Sequence, residues 1–199
     1  ESSASLLKAL PGLKTVLTIT ASEFISHCYS QYDVKHGIHA GDDKPEPLRC
    51  PRCREREPGD LIVEILNSMY AGLQSVDRAA RLLAWNWSWN RYEPDPQERI
   101  LARVQPGIDI LADFERGDVR TDATGREIVI DEYSLSYIGP SERFKKIHAV
   151  ATKQKREAYA KLQIGTTHEI ASVSNLPLIA NLLKKVKAYR ELNLAGFMG

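Results

Sequence analysis

The chain has 199 residues, of which 43% are hydrophobic and 27% are charged, and its formal net charge is +1 at pH 7. These values are typical of globular domains and exclude disordered, collagen-like and coiled-coil classes. The apolar segment from Leu6 to Ala21 is interrupted by Lys8, Pro11 and Lys14, which excludes a membrane span or a signal peptide there. We therefore expect an intracellular protein, cytoplasmic or in a nucleoid or nucleus, with no membrane partner.

The charge is distributed unevenly along the chain. Residues 141–199 carry 11 Lys and Arg against 4 Asp and Glu, whereas residues 1–140 carry 16 against 22. A basic end on an otherwise acidic chain is typical of a molecule that binds a polyanion at one surface and a protein at another.

The N-terminal part combines a short strand with a long polar segment. Residues 14–20 alternate apolar and polar side chains as a strand does, whereas residues 27–57 have almost no apolar side chains to bury. A segment of that length without a core needs another organising element, and a metal ion is the simplest one. All three cysteines and three of the five histidines lie in this segment.

The CPRC motif at residues 50–53 is the strongest chemical signal in the sequence. Two thiolates separated by two residues can bind one ion because the turn between them directs both sulfur atoms inward. Tetrahedral zinc needs two more ligands, and the upstream candidates are Cys28 and one of His27, His36 and His39. The preferred ligand set is Cys28, His36, Cys50 and Cys53, with His39 as the substitute for His36.

Such a ligand set closes the coordination shell, so we expect a structural Zn²⁺ ion and not a catalytic one. The alternative is that these cysteines and histidines are unconnected residues of a polar loop.

Helical patterns dominate the chain from residue 60 to residue 105. Asp60 can cap a helix that continues to about residue 73, and a second helix is predicted over residues 76–92. The spacing of that second helix places Trp85 and Trp89 in the core and leaves Trp87 exposed. A third helix begins near residue 95 and ends before Pro106.

The remaining elements are mixed. Residues 108–114 fit either a helix or a strand, and residues 118–138 predict a hairpin or a small three-stranded sheet with a turn at residues 121–125. A long helix is predicted over residues 141–163 and a final one over residues 175–192.

These elements predict a mainly α fold of the α+β class, a helical bundle with a zinc-knuckle N-terminal module and a small antiparallel hairpin or sheet. Three regions are expected: an N-terminal segment with the zinc module (1–57), an acidic helical region with the hairpin (58–140) and a basic helical region (141–199).

Cationic side chains define a predicted nucleic-acid surface. The arginines around the CPRC motif suit phosphate groups or guanine edges, although Glu55 and Glu57 could instead pair with them. Two basic amphipathic helices in residues 141–199 can follow a phosphate backbone. The residues assigned to nucleic-acid binding are Arg49, Arg52, Arg54, Lys145, Lys146, Lys153, Lys155, Arg156, Lys184, Lys185 and Lys187.

Residues 167–177 carry the sequence Glu-Ile-Ala and a turn, and residues 182–186 follow as LLKKV. This segment resembles a helix-turn-helix, although its second helix is about two residues short and Asn175 stands where glycine is common. The resemblance implies that residues 178–181 lie near base edges and the lysines near phosphates. A buried helical hairpin is the alternative.

Two other features bear on function. The aromatic run of Trp85, Trp87, Trp89 and Tyr92 could stack bases of a single strand, although core packing is the simpler explanation for Trp85 and Trp89. No nuclease-like lysine spacing follows the carboxylates of Asp109, Asp113, Glu115, Asp131 and Glu132.

We therefore expect a non-catalytic, zinc-containing nucleic-acid-binding subunit of a larger nucleoprotein or transcription assembly, with other protein subunits as partners. The alternatives are a protein-interaction adaptor with a purely structural zinc and, with less support, a metal-dependent nuclease.

Overall fold

A computed structural model describes residues 2–21, 25–30, 50–92, 94–165 and 178–199. Helices and strands alternate along much of these ranges. In chain order the elements are α1 (Ser2–Ala9), β1 (Thr15–Ile19), α2 (Pro58–Gln74), β2 (Arg81–Trp85), a 3₁₀ turn (Trp89–Arg91), α3 (Gln97–Arg103), β3 (Ile108–Asp113), β4 (Asp118–Thr121), β5 (Glu127–Ile130), α4 (Glu142–Lys153), β6 (Ala158–Lys161), α5 (Ile179–Glu191) and β7 (Gly196–Met198).

The main sheet has five strands in the order β1-β2-β3-β6-β7. Strands β1 and β2 pair in parallel with Thr15 opposite Arg81, and β6 and β7 pair in parallel with Tyr159 opposite Gly196. The predicted helical bundle is therefore wrong, because the protein has an α/β fold built on a parallel sheet. The physical reason is that buried parallel strands are short apolar runs without alternation; all six residues of β3 are buried.

Two predicted helices are partly strands. The helix expected over residues 76–92 is replaced by β2 and the 3₁₀ turn, and Trp87, expected to be exposed, is only 9% exposed. The long helix expected over residues 141–163 ends at Lys153, and the chain continues into β6. Pairing within the sheet outweighs the helical tendency of these alanine- and leucine-rich segments.

Several local predictions are confirmed. The strand at residues 14–20 is β1, and β4 and β5 form an antiparallel hairpin with Asp118 opposite Ile130. The helix expected from residue 60 is α2, although its N-cap is Glu57 and Asp60 lies within its first turn. Ser141 caps α4, since its hydroxyl accepts a hydrogen bond from the Phe144 amide at 3.1 Å.

The chain divides into two compact units, Glu1–Ile110 and Leu111–Gly199. In the first unit α2 packs against α1, α3 and β2 through fully buried residues such as Ile62, Leu66 and Leu73. In the second unit the rings of Phe114 and Phe144 meet edge to face, with their centroids 5.0 Å apart, in a core shared by α4 and β6. The three-region division remains a prediction.

Within the described ranges, every helix is too short or too polar to cross a lipid bilayer.

Candidate functional site

The three cysteines converge in the first unit. One sulfur atom from each of Cys28, Cys50 and Cys53 lies within 4.8 Å of the other two, so the three thiols could hold a metal ion. Cys50 and Cys53 lie in the turns that precede α2. The amides of Cys53 and Arg54 donate to the Cys50 carbonyl at 3.2 and 3.0 Å, and these bonds fix the turn that brings the two sulfur atoms together.

Tyr29 connects the Cys28 turn to the CPRC turn. Its hydroxyl donates to the carbonyls of Arg56 at 3.0 Å and Cys53 at 3.3 Å. Its own carbonyl accepts a hydrogen bond of 2.8 Å from the Tyr92 hydroxyl. These bonds hold two sequence-distant turns at the separation that the cluster of thiols requires.

The thiols differ in acidity. Hydrogen bonds from the backbone amides of Arg52 and Cys53 lower the pKa of Cys50 to about 7. Burial, followed by hydrogen bonds with the other two thiols, raises the pKa of Cys28 to about 12. Cys50 thus forms a thiolate more readily than Cys28 does, and a bound cation is what would stabilise both thiolates together.

The predicted fourth ligand cannot be placed, because His36 and His39 lie outside the described residues, as does Arg49. The remaining candidate, His27, is adjacent to Cys28 but is not one of the converging ligands. Its Nδ1 accepts a hydrogen bond of 3.1 Å from the Tyr29 amide, and its ring lies 6.4 Å from the rings of Tyr29 and Tyr92. Burial lowers the pKa of His27 to about 4, so its imidazole is neutral.

The cations assigned to nucleic-acid binding fall into two groups. Those without an ion-pair partner in the described part of the chain are exposed: Arg52, Lys146, Lys153, Lys155, Lys184 and Lys187. Others are bound to nearby side chains: Arg54 to Glu55, Lys145 to Glu142, and Arg156 to Gln154. Of the two glutamates considered as partners of the CPRC arginines, Glu55 pairs with Arg54, whereas Glu57 pairs with Arg99.

Lys185 is not on an exposed basic face, and this part of the prediction is wrong. The residue is 1% exposed, whereas the neighbouring apolar residues Leu183 and Val186 are 58% and 50% exposed. Helical spacing placed Lys185 with the exposed Lys184 and Lys187, because the spacing carries no sign of the ionic partner that Lys185 has in the core.

That partner is Glu115, which follows β3 and is completely buried. Its Oε1 accepts hydrogen bonds from the Lys185 ammonium group and, at 2.9 Å, from the Gln163 amide. Lys185 also donates to the Ser134 carbonyl. The sequence alone presents Glu115 as one of several carboxylates. Its position two residues beyond β3, a short strand of mostly apolar residues, was the signal that could have singled it out.

The aromatic run offers little surface for base stacking. The Trp89 indole is buried and donates to the Thr20 hydroxyl at 2.9 Å, and Trp87 packs against Trp85 with ring centroids 5.5 Å apart. Trp85 is half-buried at the end of β2. Of the segment that resembles a helix-turn-helix, residues 167–177 lie outside the described residues.

Comparisons with known proteins yield little. No protein-family model matches the sequence, and no curated protein matches it. Among solved structures, the chain is similar to the catalytic domain of a beta-amylase from Paenibacillus polymyxa, with 11% sequence identity and a TM-score of 0.42. The similarity covers 70% of this chain and 32% of that chain, so this chain spans about a third of that domain.

Proposed function

We propose that Cys28, Cys50 and Cys53 bind a structural Zn²⁺ ion, with His36 as the fourth ligand and His39 as its alternative. The observation that supports this proposal is the convergence of the three sulfur atoms within 4.8 Å. Thiolate and imidazole ligands in tetrahedral number are the chemistry that zinc prefers in structural sites. When bound, the ion neutralises the thiolates and cross-links the turn around Cys28 to the turn before α2.

A metal analysis of purified protein tests this proposal directly. We expect about one zinc ion per chain, and we expect Cys53→Ser to weaken zinc binding by more than about 100-fold, since a direct ligand matters more than the supporting residues that cost about 10- to 100-fold. Arg52→Ala is the matched control, because it changes the same turn at an exposed side chain that offers no ligand atom.

Protease resistance over residues 25–57 provides the second measurement. Removal of zinc with a chelator should expose this segment to cleavage, because it contains few apolar side chains to hold it. A metal-free protein with the same protease resistance as the untreated protein would overturn the proposal. Separate His36→Asn and His39→Asn variants would identify the fourth ligand by their zinc content.

A second candidate function is nucleic-acid binding as a subunit of a larger assembly, with the acidic residues 1–140 facing a protein partner. The supporting observation is that Lys146, Lys153 and Lys155 are exposed on α4 and just beyond its end, and have no ion-pair partner in the described part of the chain. Cations of this kind release counterions when they contact phosphates.

A mobility-shift assay across a salt series tests this function. We expect the triple change of Lys146, Lys153 and Lys155 to Glu to weaken duplex binding and to reduce the slope of log affinity against log salt by about 3. The control reverses three exposed cations elsewhere, Lys8, Arg78 and Arg120. If the unmodified protein fails to bind, nucleic-acid binding is excluded and the adaptor function takes its place.

A further inference from the structure

Helix α5 (Ile179–Glu191) carries three aliphatic side chains that are exposed to solvent. Ile179, Leu183 and Val186 are 64%, 58% and 50% exposed. Because each residue turns an α-helix by about 100°, these side chains lie within about 60° of one another on one face, and we call them the α5 stripe. A single exposed aliphatic residue is common on protein surfaces, whereas a contiguous group of them marks an interaction site.

The opposite face of α5 fixes the orientation of the helix within its own unit, Leu111–Gly199. Lys185 is bound to the buried Glu115, and the Asn181 side chain donates to the Leu135 carbonyl at 3.2 Å. Asn181 and Lys185 are four residues apart, so they share a face of the helix, and that face points away from the α5 stripe. A rotation that buried the stripe would break the buried ion pair, so the stripe stays exposed until a partner covers it.

Exposed cations line one side of the α5 stripe. Lys184 and Lys187 lie along that side and Arg190 lies at the C-terminal end of the stripe. Within the described part of the chain, none of these three side chains has an ion-pair partner. Glu191 is the one acidic residue of α5, so this surface has a net positive charge. A partner that covers the stripe must therefore bring acidic groups beside its own apolar side chains.

Three other occupants fit these features less well. Two copies of α5 packed through the stripe would bring together two helices of the same net charge. A phosphate backbone would pair with the cations but offers no apolar surface to the stripe. An anionic membrane would supply both, but the α5 stripe lacks the aromatic side chains with which many interfacial helices enter the headgroup region. An acidic protein segment matches both the stripe and its charge.

We propose that the α5 stripe is the docking surface for an acidic amphipathic helix of a protein partner. In this complex, apolar side chains of the partner pack against the stripe, and its acidic side chains pair with Lys184 and Lys187. From Ile179 to Arg190 the surface extends about 16 Å along α5, which matches partner side chains at positions i, i+4, i+7 and i+11. The surface and the three cysteines belong to different units, so it does not depend on the proposed metal site.

Fluorescence anisotropy with a labelled synthetic peptide tests this proposal on the full chain. The peptide has about 18 residues, enough to form a helix, with Leu at positions i, i+4, i+7 and i+11, Glu beside these leucines and Ala elsewhere. One control peptide has the same composition in scrambled order, and a second carries Lys in place of Glu. We expect saturable binding of one acidic peptide per chain and at least about 10-fold weaker binding of both controls.

Two pairs of substitutions separate the α5 stripe from other exposed apolar residues. Leu183→Gln with Val186→Gln should weaken binding of the acidic peptide by about 10- to 100-fold, because two aliphatic side chains no longer become buried in the complex. Both positions are exposed, so the variant is expected to fold. The matched control, Val119→Gln with Val129→Gln, changes two exposed valines that lie opposite each other on β4 and β5, and it should leave the affinity unchanged.

A further pair of substitutions tests the charge. Lys184→Gln with Lys187→Gln should weaken binding of the acidic peptide by about 3- to 10-fold at low salt, with a smaller loss at high salt because exposed ion pairs are screened. The control is Lys146→Gln with Lys153→Gln, which removes two exposed lysines of α4 and makes the same change in net charge. It should leave the affinity almost unchanged.

The proposal is overturned if the acidic peptide binds no more tightly than the scrambled peptide, or if the substitutions in the α5 stripe leave its affinity unchanged. If those substitutions instead dissociate a dimer in sedimentation velocity, or release the protein from vesicles that contain phosphatidylserine, the occupant is a second copy or a membrane and the proposal is wrong. Loss of duplex DNA binding on removal of Lys184 and Lys187, without loss of peptide binding, would assign these cations to nucleic acid and also contradict it.

Discussion

The two units of the chain bury polar groups of different kinds. In Glu1–Ile110 the buried polar side chains are mostly uncharged, namely Thr20, Ser30, Asn86, Ser88 and Gln97, with the ion-paired Asp109 as the exception among the described residues. In Leu111–Gly199 four of them are charged, namely Asp113, Glu115, Arg116 and Lys185. The first unit also holds the three cysteines, which could hold a metal ion.

This difference predicts which substitutions destabilise each unit most. A neutral hydrogen bond contributes about 1 kcal/mol to the free energy of unfolding, and removal of one partner leaves a single buried dipole without its hydrogen bond. The loss of one partner of a buried ion pair leaves an uncompensated charge and costs several times more. We therefore expect truncation of a single buried charged side chain to destabilise the second unit most. The stability of the first unit should depend more on a bound metal ion.

The largest effect is expected from Lys185→Met, which removes the cation bound to Glu115. The free energy of unfolding should fall by about 3–5 kcal/mol at pH 7, because a buried carboxyl group loses its only ion-pair partner in the described structure. Denaturant unfolding measures this loss. In the unmodified protein burial already raises the pKa of Glu115, and Lys185 opposes this rise. Without Lys185 the pKa of Glu115 should rise further, so the loss should grow as the pH rises through the pKa that Glu115 has in the unmodified protein.

The double change of Glu115→Gln and Lys185→Met is the control. It removes both charges, so it should recover most of the stability lost in the single variant. If Lys185→Met alone is as stable as the unmodified protein, the contrast between charged and neutral burial in the two units breaks down.

A smaller effect is expected from Trp89→Phe in the first unit. This change removes the indole N–H that donates to Thr20 and leaves a buried hydroxyl group unpaired, which should cost about 1–3 kcal/mol. The matched control is Trp85→Phe at a half-buried position, with a smaller expected loss. A double-mutant cycle with Thr20→Val measures the coupling, and additive losses would show that the hydrogen bond contributes nothing.

A charged hydrogen bond at partial exposure should contribute less to stability than either of these two. Burial tends to raise the pKa of Asp118, but hydrogen bonds from Tyr137 at 2.7 Å and from the amides of Val119 and Glu142 outweigh it and lower the pKa below 3.8. The carboxylate thus stabilises the fold above pH 3.8, and this contribution is lost as the pH falls through its lowered pKa.

Tyr137→Phe should therefore raise the pKa of Asp118 and cost about 1 kcal/mol at pH 7, and the cost should vanish in acid below that lowered pKa. Carboxyl NMR titration and urea unfolding at the two pH values measure both effects. An unchanged Asp118 titration would show that the two amides and the charge of Lys145 set its pKa without Tyr137.

The sequence predicted elements whose signal is local. The alternation in β1, the periodicity of α2 and the turn between β4 and β5 each lie within one short segment. The sequence did not predict β2 or β6, because RLLAW and AYAK also fit a helix. Their partners in the sheet lie in distant parts of the chain, and pairing with those partners decides their conformation.

The same distinction applies to the sites. The spacing of Cys50 and Cys53 predicted that both bind one ion, with Cys28 as a further ligand, and the structure brings the three sulfur atoms together. No spacing on α5 could reveal that Lys185 is buried, because its partner Glu115 is 70 residues away. Helical spacing identifies the residues that share a face, but it does not identify what packs against that face.

The smallest expected effect is an increase in the free energy of unfolding when Lys155, an exposed residue, is replaced by glycine. This residue ends α4 in a left-handed conformation with φ of 56°. Its amide donates to Thr152 at 3.0 Å and the next amide donates to Ala151 at 2.9 Å, the two bonds of a Schellman motif, in which glycine is preferred. We expect Lys155→Gly to raise the free energy of unfolding by about 0.5–1 kcal/mol, since glycine adopts this conformation without steric cost.

The matched control is Lys153→Gly, two residues earlier and still within α4. There the φ is helical and glycine should lower the free energy of unfolding by about 1 kcal/mol. Both changes remove one exposed lysine, so any general effect of charge is the same in the two variants and only the backbone conformation differs. Opposite signs in thermal unfolding would assign the effect to the backbone at residue 155, and equal signs would contradict it.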